Sequence, residues 1–230
     1  MSTRTVEQPT STRAIEACPL ERWQTECPTF RVVEGRDKQP IYREGEDHPY
    51  LFCVMKGYVK LSRLFENGDE FTLGLLKTGD LFGPTLSNPA DARAQETATA
   101  KGEVRLGRVH AADFQRLLAL DPEMVSEVIR TLAHRQRLLE QRVAALFFHD
   151  VRARVARLLC DLAGQFGERC PHGLELDIRV TQQELADLAG ASRSVVSTLV
   201  NEWRDQGILA YTREFICIVR IDALRRLIPS

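Results

Sequence analysis

From residue 30 to about residue 109 the apolar positions fall in short runs broken by glycine turns. Glu44-Gly45, Lys56-Gly57, Asn67-Gly68, Thr78-Gly79-Asp80 and Lys101-Gly102 interrupt stretches rich in Val, Leu, Phe and Tyr. Asn-Gly is a strong hairpin signal because both residues tolerate positive φ. Many short strands with this punctuation predict an antiparallel sandwich or barrel. In this reading residues 50–65 form two strands around Lys56-Gly57, and residues 98–109 form a hairpin about Lys101-Gly102.

The pattern changes at Asp121-Pro122, a helix start with proline at the first helical position. Val125, Ile129, Leu132, Gln136, Leu139, Val143 and Leu146 then alternate in steps of four and three, and the helix runs to Phe148. Such a heptad seam is the narrow stripe along which a helix meets a copy of itself. A polar residue at one seam position, here Gln136, fixes register and oligomer state at some cost in stability. The alternative is that the stripe rests on the chain's own β domain. His149-Asp150 reads as a hinge, with Asp150 capping another helix to about Phe166 and a loop over 167–173.

Residues 181–207 predict two short helices joined by a tight turn. Thr181 and Glu184 have capping-box spacing. Leu185 and Leu188 give the first helix an apolar face, and Gly190 stops it, because glycine accepts the left-handed backbone that ends helices. Ser192 is the next N-cap, and Val195, Val196, Leu199 and Val200 follow at helical spacing until Gly207. The second helix is lopsided. Ser192, Arg193, Ser194, Ser197, Thr198 and Asn201 are small or hydrogen-bonding, which leaves room for a close approach. This is the helix-turn-helix plan, whose second helix meets base edges in the DNA major groove. An ordinary helical hairpin inside a core is the competing reading. Residues 208–221 read as a two-stranded wing and residues 222–228 as a short final helix.

Bulk properties narrow the choice. The 230 residues are 43% hydrophobic and 27% charged, an ordinary globular balance. No apolar run is long enough to span a bilayer, and the start of the chain lacks a secretory apolar core, which predicts a cytoplasmic protein without membrane contact. Net charge is −1, and acidic and basic side chains balance over residues 150–230. That argues against a sequence-blind, charge-driven nucleic-acid binder. A specific binder needs only a few phosphate contacts. Cys18, Cys27, Cys53, Cys160, Cys170 and Cys217 include no C-x-x-C pair, so reduced thiols are expected. An iron–sulfur or redox sensor on Cys18, Cys27 and Cys53 is a competing reading without clustered spacing. Cys170 falls in the expected loop, where it could be exposed. The five His are scattered and no metal site is expected; G-x-S-x-G, P-loop and G-x-G-x-x-G motifs are absent, so an enzyme is only weakly supported.

The order of modules resembles the CRP/FNR family of bacterial transcription regulators, over nearly the whole chain from about residue 30. The stretches that carry the resemblance are VVEGRDK, KGYVKLSR, NGDEFTLGLLKTGDLFG and LLCDLAGQFGERCPHGLELDIRVTQQELADLAG, and their wording is similar to the cyanobacterial nitrogen-regulator branch. The resemblance implies an α+β architecture. A disordered tail over 1–15 precedes an antiparallel β-roll of the cyclic-nucleotide-binding type over 16–120. A dimerisation helix follows over 121–149, then a winged helix-turn-helix over 150–230. It also implies a homodimer on a palindromic site in double-stranded DNA, with RNA polymerase as a further partner.

On the family pattern Arg193 reaches a guanine edge, flanked by Ser192, Ser194, Ser197 and Thr198, while Thr181, Gln182 and Gln183 lie in the phosphate-contact region. Ser194 and Thr198 replace a Glu and an Arg of the cyclic-AMP receptor branch, so the operator should differ from that branch's. In the β-roll the family's ligand loop is represented by Phe82 and Gly83. Pro84 stands where the cyclic-nucleotide branch has Glu, and Leu139 and Glu140 replace two hydroxyl residues, which disfavours cyclic AMP. Arg135 and Glu140 match the Arg and Glu of a 2-oxoglutarate site in the nitrogen-regulator branch, and Arg93 could add a second cation. An Arg135–Glu140 salt bridge beside the seam is the competing reading. Pro84 also removes a backbone N–H from that loop. A ligand-independent or redox-responsive regulator therefore stands beside the 2-oxoglutarate reading.

Overall fold

The computed structural model describes residues 20–83, 93–212 and 215–229. The expected tail, Cys18 and Pro84 lie outside the described residues. The first element is α1 (Leu20–Glu26), followed by β1 (Arg31–Gly35), β2 (Pro40–Tyr42), β3 (Tyr50–Leu64), β4 (Glu70–Leu76), β5 (Leu81–Phe82) and β6 (Thr97–His110). The strands make one antiparallel sheet in the order β1-β6-β3-β4, with β2 paired to β6 and β5 to β3. The Asn67-Gly68 hairpin forms as expected: Phe65 and Asp69 close it with a 2.9 Å backbone hydrogen bond.

Two expected reversals are absent. Residues 50–64 are one strand and residues 97–110 are another. These two strands pair with each other, and the register jumps from Lys56↔Arg105 to Tyr58↔Lys101. Gly57 has φ 83°, and a Cβ there would lie 2.3 Å from the Glu103 carbonyl oxygen. The glycines therefore mark a corner at which both strands bend together, not a chain reversal. Bulges of this kind let a strand pass from one face of a roll to the other. Locally a bend and a turn need the same glycine; only the partner strand distinguishes them.

Two helices close the roll. Trp23 of α1 is fully buried and meets Phe114 of α2 (Ala111–Leu120) edge-on at 5.3 Å. Thr29 Oγ1 donates to Asp113 at 2.5 Å, joining the two ends of the domain. The expected β-roll region thus has helical ends. Phe114, Leu117 and Leu118 carry the 3–4 spacing that would have indicated the second of them.

Helix α3 (Pro122–Phe148) begins as expected, with Asp121 accepting from the N–H groups of Glu123 and Met124. One stripe of it faces the molecule, with Met124, Val128 and Ala145 buried and Thr131, Arg135, Leu138 and Arg142 half-buried. The heptad seam lies one residue further round. Ile129, Leu139, Val143 and Leu146 keep 47–59% of their surface exposed, Leu132 and Gln136 are exposed as well, and Val125 is half-buried. The seam is left largely uncovered, although Leu139, Val143 and Leu146 border a small apolar pocket shared with Phe71 and Leu73 of β4.

Asp150 caps α4 (Val151–Phe166) through the Ala153 N–H. The expected loop over 167–173 is instead a hairpin, β7 (Gly167–Cys170) and β8 (Gly173–Leu176), which joins β9 (Leu209–Tyr211) and β10 (Ile216–Ile218) in a sheet of order β7-β8-β10-β9. Between them lie α5 (Gln182–Ala189) and α6 (Arg193–Asp205), and α7 (Ile221–Arg225) follows. Leu159, Leu162, Leu185, Val196, Trp203 and Ile216 are among the side chains of their common core. No helix among the described residues is long and apolar enough to cross a membrane.

Candidate nucleic-acid interface and effector site

Local chemistry sets the helix-turn-helix. Thr181 Oγ1 accepts from the Glu184 N–H at 3.2 Å while the Glu184 carboxylate accepts from the Thr181 N–H at 2.8 Å, which completes the capping box. Gly190 ends α5 at φ 61° and ψ 48°, the left-handed backbone the turn requires. Ser192 caps α6 through the Val195 N–H. Arg154 of α4 then clamps the turn, donating to the carbonyls of His149, Ala189 and Gly190 at 2.9 Å each. Arg152 adds a two-pronged pair with Glu202 of α6 at 2.8 and 2.6 Å. Sequence reading missed both arginines, because the groups that hold them to α5 and α6 are distant along the chain.

The two faces of α6 differ sharply. Val196, Leu199, Val200 and Trp203 are buried. Arg193, Ser194, Thr198 and Asn201 are exposed and Ser197 is half-buried. The face therefore presents one guanidinium with hydroxyls and an amide, without a bulky apolar group beyond half-exposed Val195. Ser192 and Ser194 share a hydrogen bond at 3.0 Å, and the Thr198 hydroxyl donates to the Ser194 carbonyl. These bonds fold the hydroxyls down and leave the arginine standing clear. The charge of Arg193 is also felt by Tyr211 on β9, whose phenol burial pushes up and the Arg179 and Arg193 charges pull back. Among the phosphate-contact candidates, Thr181 and Gln183 are exposed and Gln182 is half-buried.

Helix α5 is also the joint to the β-roll. Glu184 and Lys101 form an ion pair at 2.6 Å, both side chains largely buried. Asp187 accepts from the Thr72 N–H at 3.0 Å and from Gln183 at 2.7 Å. Tyr58 donates to Asp177 at 2.6 Å. Thr181 and Gln183 consequently line an open cleft of about 1500 Å³ between the β3–β4 hairpin and the DNA-facing domain.

The expected effector residues are only partly brought together. Phe82 is buried and stacks against Phe52 at 5.1 Å and Tyr42 at 6.2 Å, with Gly83 following it at the end of β5. Arg135 projects from the inward stripe of α3, and its charge reaches Tyr42, Asp80 and Arg142. Together with Glu96, Asp80 is an acidic group of this region that sequence reading missed. Burial raises its carboxyl above the ordinary range, against the pull of the Lys77 N–H that donates to it at 2.8 Å. Tyr42 donates to Glu96 at 2.9 Å, and burial is the main reason its phenol is held far above the usual range. Glu140 does not join this group. It is exposed and accepts from Gln136 at 2.8 Å, and among the described residues it makes no ion pair with Arg135. Arg93 is exposed and pairs with Asp47 at 3.9 Å. Cys27 and Cys53 are buried in the apolar cluster under α2, and burial pushes the Cys27 thiol up to about 11.

Similarity to known proteins agrees with this division of labour. A profile for the cyclic nucleotide-binding domain matches residues 32–121, and one for the Crp-like helix-turn-helix domain matches residues 153–227. The chain is 30% identical to the CRP-like cAMP-activated global transcriptional regulator of Mycobacterium tuberculosis, over 81% of this chain and 83% of that one. It is 28% identical to the global nitrogen regulator of Synechococcus elongatus, over 85% and 88% of the two chains. A solved CRP-family transcriptional regulator from Thermus thermophilus superposes with a TM-score of 0.71 at 28% identity, covering 86% of this chain and 97% of its own. The relatives are transcription regulators. With a β domain of the effector-binding type in front of a helix-turn-helix domain, the chain belongs to the CRP/FNR family of DNA-binding transcription regulators.

Proposed function

We propose that the protein acts in the cytoplasm as a homodimer, clasped along the α3 seam, which places two α6 helices in successive major grooves of a palindromic operator. The observation that carries this reading is the bare face of α6, with Arg193 at its start. Arg offers a bidentate fork to the O6 and N7 acceptors of guanine, worth about 1–3 kcal/mol of discrimination. The exposed seam supports the second half: a stripe of Ile, Leu and Val in water is costly, and a second seam would cover it. RNA polymerase is the further partner expected of such a regulator, which is not expected to act as an enzyme.

For the β-roll we favour a small anionic effector held by Arg135, with 2-oxoglutarate as the first molecule to test. A carboxylate would gain a charge-assisted hydrogen bond there. Cyclic AMP, named in the Mycobacterium relative, is disfavoured because Leu139 and Glu140 offer no hydroxyl to adenine. A ligand-independent regulator is the second reading. What favours it is the Glu140 carboxylate, which turns to Gln136 and not toward Arg135.

Selection of bound sequences from random DNA, with and without 2-oxoglutarate, tests both. The expected product is an imperfect palindrome with half-sites about 34–36 Å apart, bound more tightly with the ligand. Enrichment of no sequence would refute the regulator reading for this chain. A palindrome bound equally with and without ligand would select the ligand-independent reading.

A further inference from the structure

The sulfurs of Cys170 and Cys217 lie 3.4 Å apart and share a thiol hydrogen bond across 47 positions of sequence. Cys170 ends β7, and Cys217 sits in β10 opposite Glu175 of β8 and Ala210 of β9. Strand β8 lies between these two strands in the sheet. The contact crosses it where Cys170 faces Gly173, a residue with no side chain to stand in the way.

The two sulfurs are unequal. Cys170 is half-buried, and its thiol is pulled below the ordinary cysteine range, first by the His172 N–H and then by its bond to Cys217. Cys217 is 3% exposed, and burial pushes its thiol up to about 11. Thiolate character and access decide which cysteine an oxidant meets. Cys170 has both, while Cys217 waits behind it as a protonated thiol.

We propose that Cys170 and Cys217 form a peroxide-oxidisable dithiol in the wing sheet, with Cys170 as the attacking sulfur and Cys217 as the resolving one. The Cys170 thiolate attacks one oxygen of a hydroperoxide. An S–O bond forms, the O–O bond breaks, and the departing oxyanion takes a proton from water. The Cys217 sulfur then attacks the sulfenic sulfur. An S–S bond forms, the S–O bond breaks, and the leaving hydroxide takes the Cys217 proton to become water. Two thiols lose two electrons, and the peroxide gains them. Closure from 3.4 Å to about 2.05 Å draws the β7–β8 turn onto β10.

The test uses the full chain and no DNA, so its outcome is independent of the regulator reading. The protein is treated with stoichiometric hydrogen peroxide, alkylated under denaturing conditions, digested and weighed. The expected product is one peptide pair joined through Cys170 and Cys217, lighter by two hydrogens and released by dithiothreitol. In Cys217→Ser, Cys170 should stop at a sulfenic acid that dimedone traps; Cys217→Ala serves the same purpose if the buried hydroxyl unfolds the sheet. In Cys170→Ser, Cys217 should stay reduced. Conversion of Cys170 to the sulfinic acid in the intact chain, without a cross-link, would overturn the proposal. So would oxidation of Cys217 at an unchanged rate in folded Cys170→Ser.

Discussion

Two surfaces of this molecule lie bare, and their chemistry is opposite. The outer face of α6 is an arginine among hydroxyls and an amide; the outer stripe of α3 is isoleucine, leucine and valine with one glutamine. Both helices bury their other side in the same chain, so neither face is left over from a helix that failed to pack. Exposure alone says only that something is missing. A polar face with small side chains fits a partner that presents hydrogen-bonding edges, and an apolar seam fits another apolar seam. An apolar stripe turned inward leaves the polar face of α6 outward, and one turned outward leaves the α3 seam bare, with no change in secondary structure.

Substitutions can break that contrast. The largest effect is expected from Leu139→Lys, which sets a charge in the middle of the seam. Sedimentation should give a mass near the 26.1 kDa of one chain, and operator affinity should fall about 100-fold, roughly 2.8 kcal/mol, as one half-site contact is lost. An unchanged dimer mass would show that the seam is not the interface. Arg193→Ala should cost at least about tenfold in operator affinity, roughly 1.4 kcal/mol, while the dimer stays intact. A smaller loss in a mobility-shift titration would remove Arg193 from base contact.

Arg154→Met separates the α6 face from its support. Two carbonyls of the turn, and that of His149 at the end of α3, lose their donor, and urea unfolding should show a loss of about 2 kcal/mol. A variant as stable as the parent would mean that the turn holds itself. Gln136→Leu sharpens the seam. It removes the polar interruption, so the dimer dissociation constant should fall several-fold, read by dilution in a sedimentation experiment. A weaker dimer would place Gln136 at a contact of its own.

The smallest effect comes from pH and belongs to neither face. His48 lies among the rings of Tyr42, Tyr50 and Phe52, and burial lowers its pKa below the ordinary 6.5. The unfolded chain then binds this proton more readily than the folded one. Stability is fully present above pH 6.5 and declines as pH falls through and below it. His48→Phe should flatten that part of a melting-temperature profile. An unchanged slope would assign the acid response to other groups.

Much of the winged domain was legible because its rules are local. A capping box spans four residues, a glycine stop one, and a heptad stripe repeats every seven, so Thr181, Gly190 and Ser192, like the α3 stripe before them, could be read in line. The β-roll was less legible. Gly57 and Gly102 give the same local signal whether the chain turns back or merely bends. In the winged domain the hairpin over 167–176 escaped as well, its strands hidden by a Cys-Pro-His-Gly turn. The candidate effector site was read least completely. Arg135 is where its spacing put it, yet Asp80, Tyr42 and Glu96 reach the same region from other strands and no spacing links them.

By itself the sequence determined the helices from α3 onward, most of their caps, the apolar seam and the polar face of α6, since these follow from contacts within about one turn of chain. Only the tertiary structure decided that two glycines make a corner, that Glu140 bonds to Gln136, that Arg154 braces the turn, and that Cys170 meets Cys217. These depend on which distant surfaces are buried against each other, a balance settled by the whole fold and by no single stretch of it.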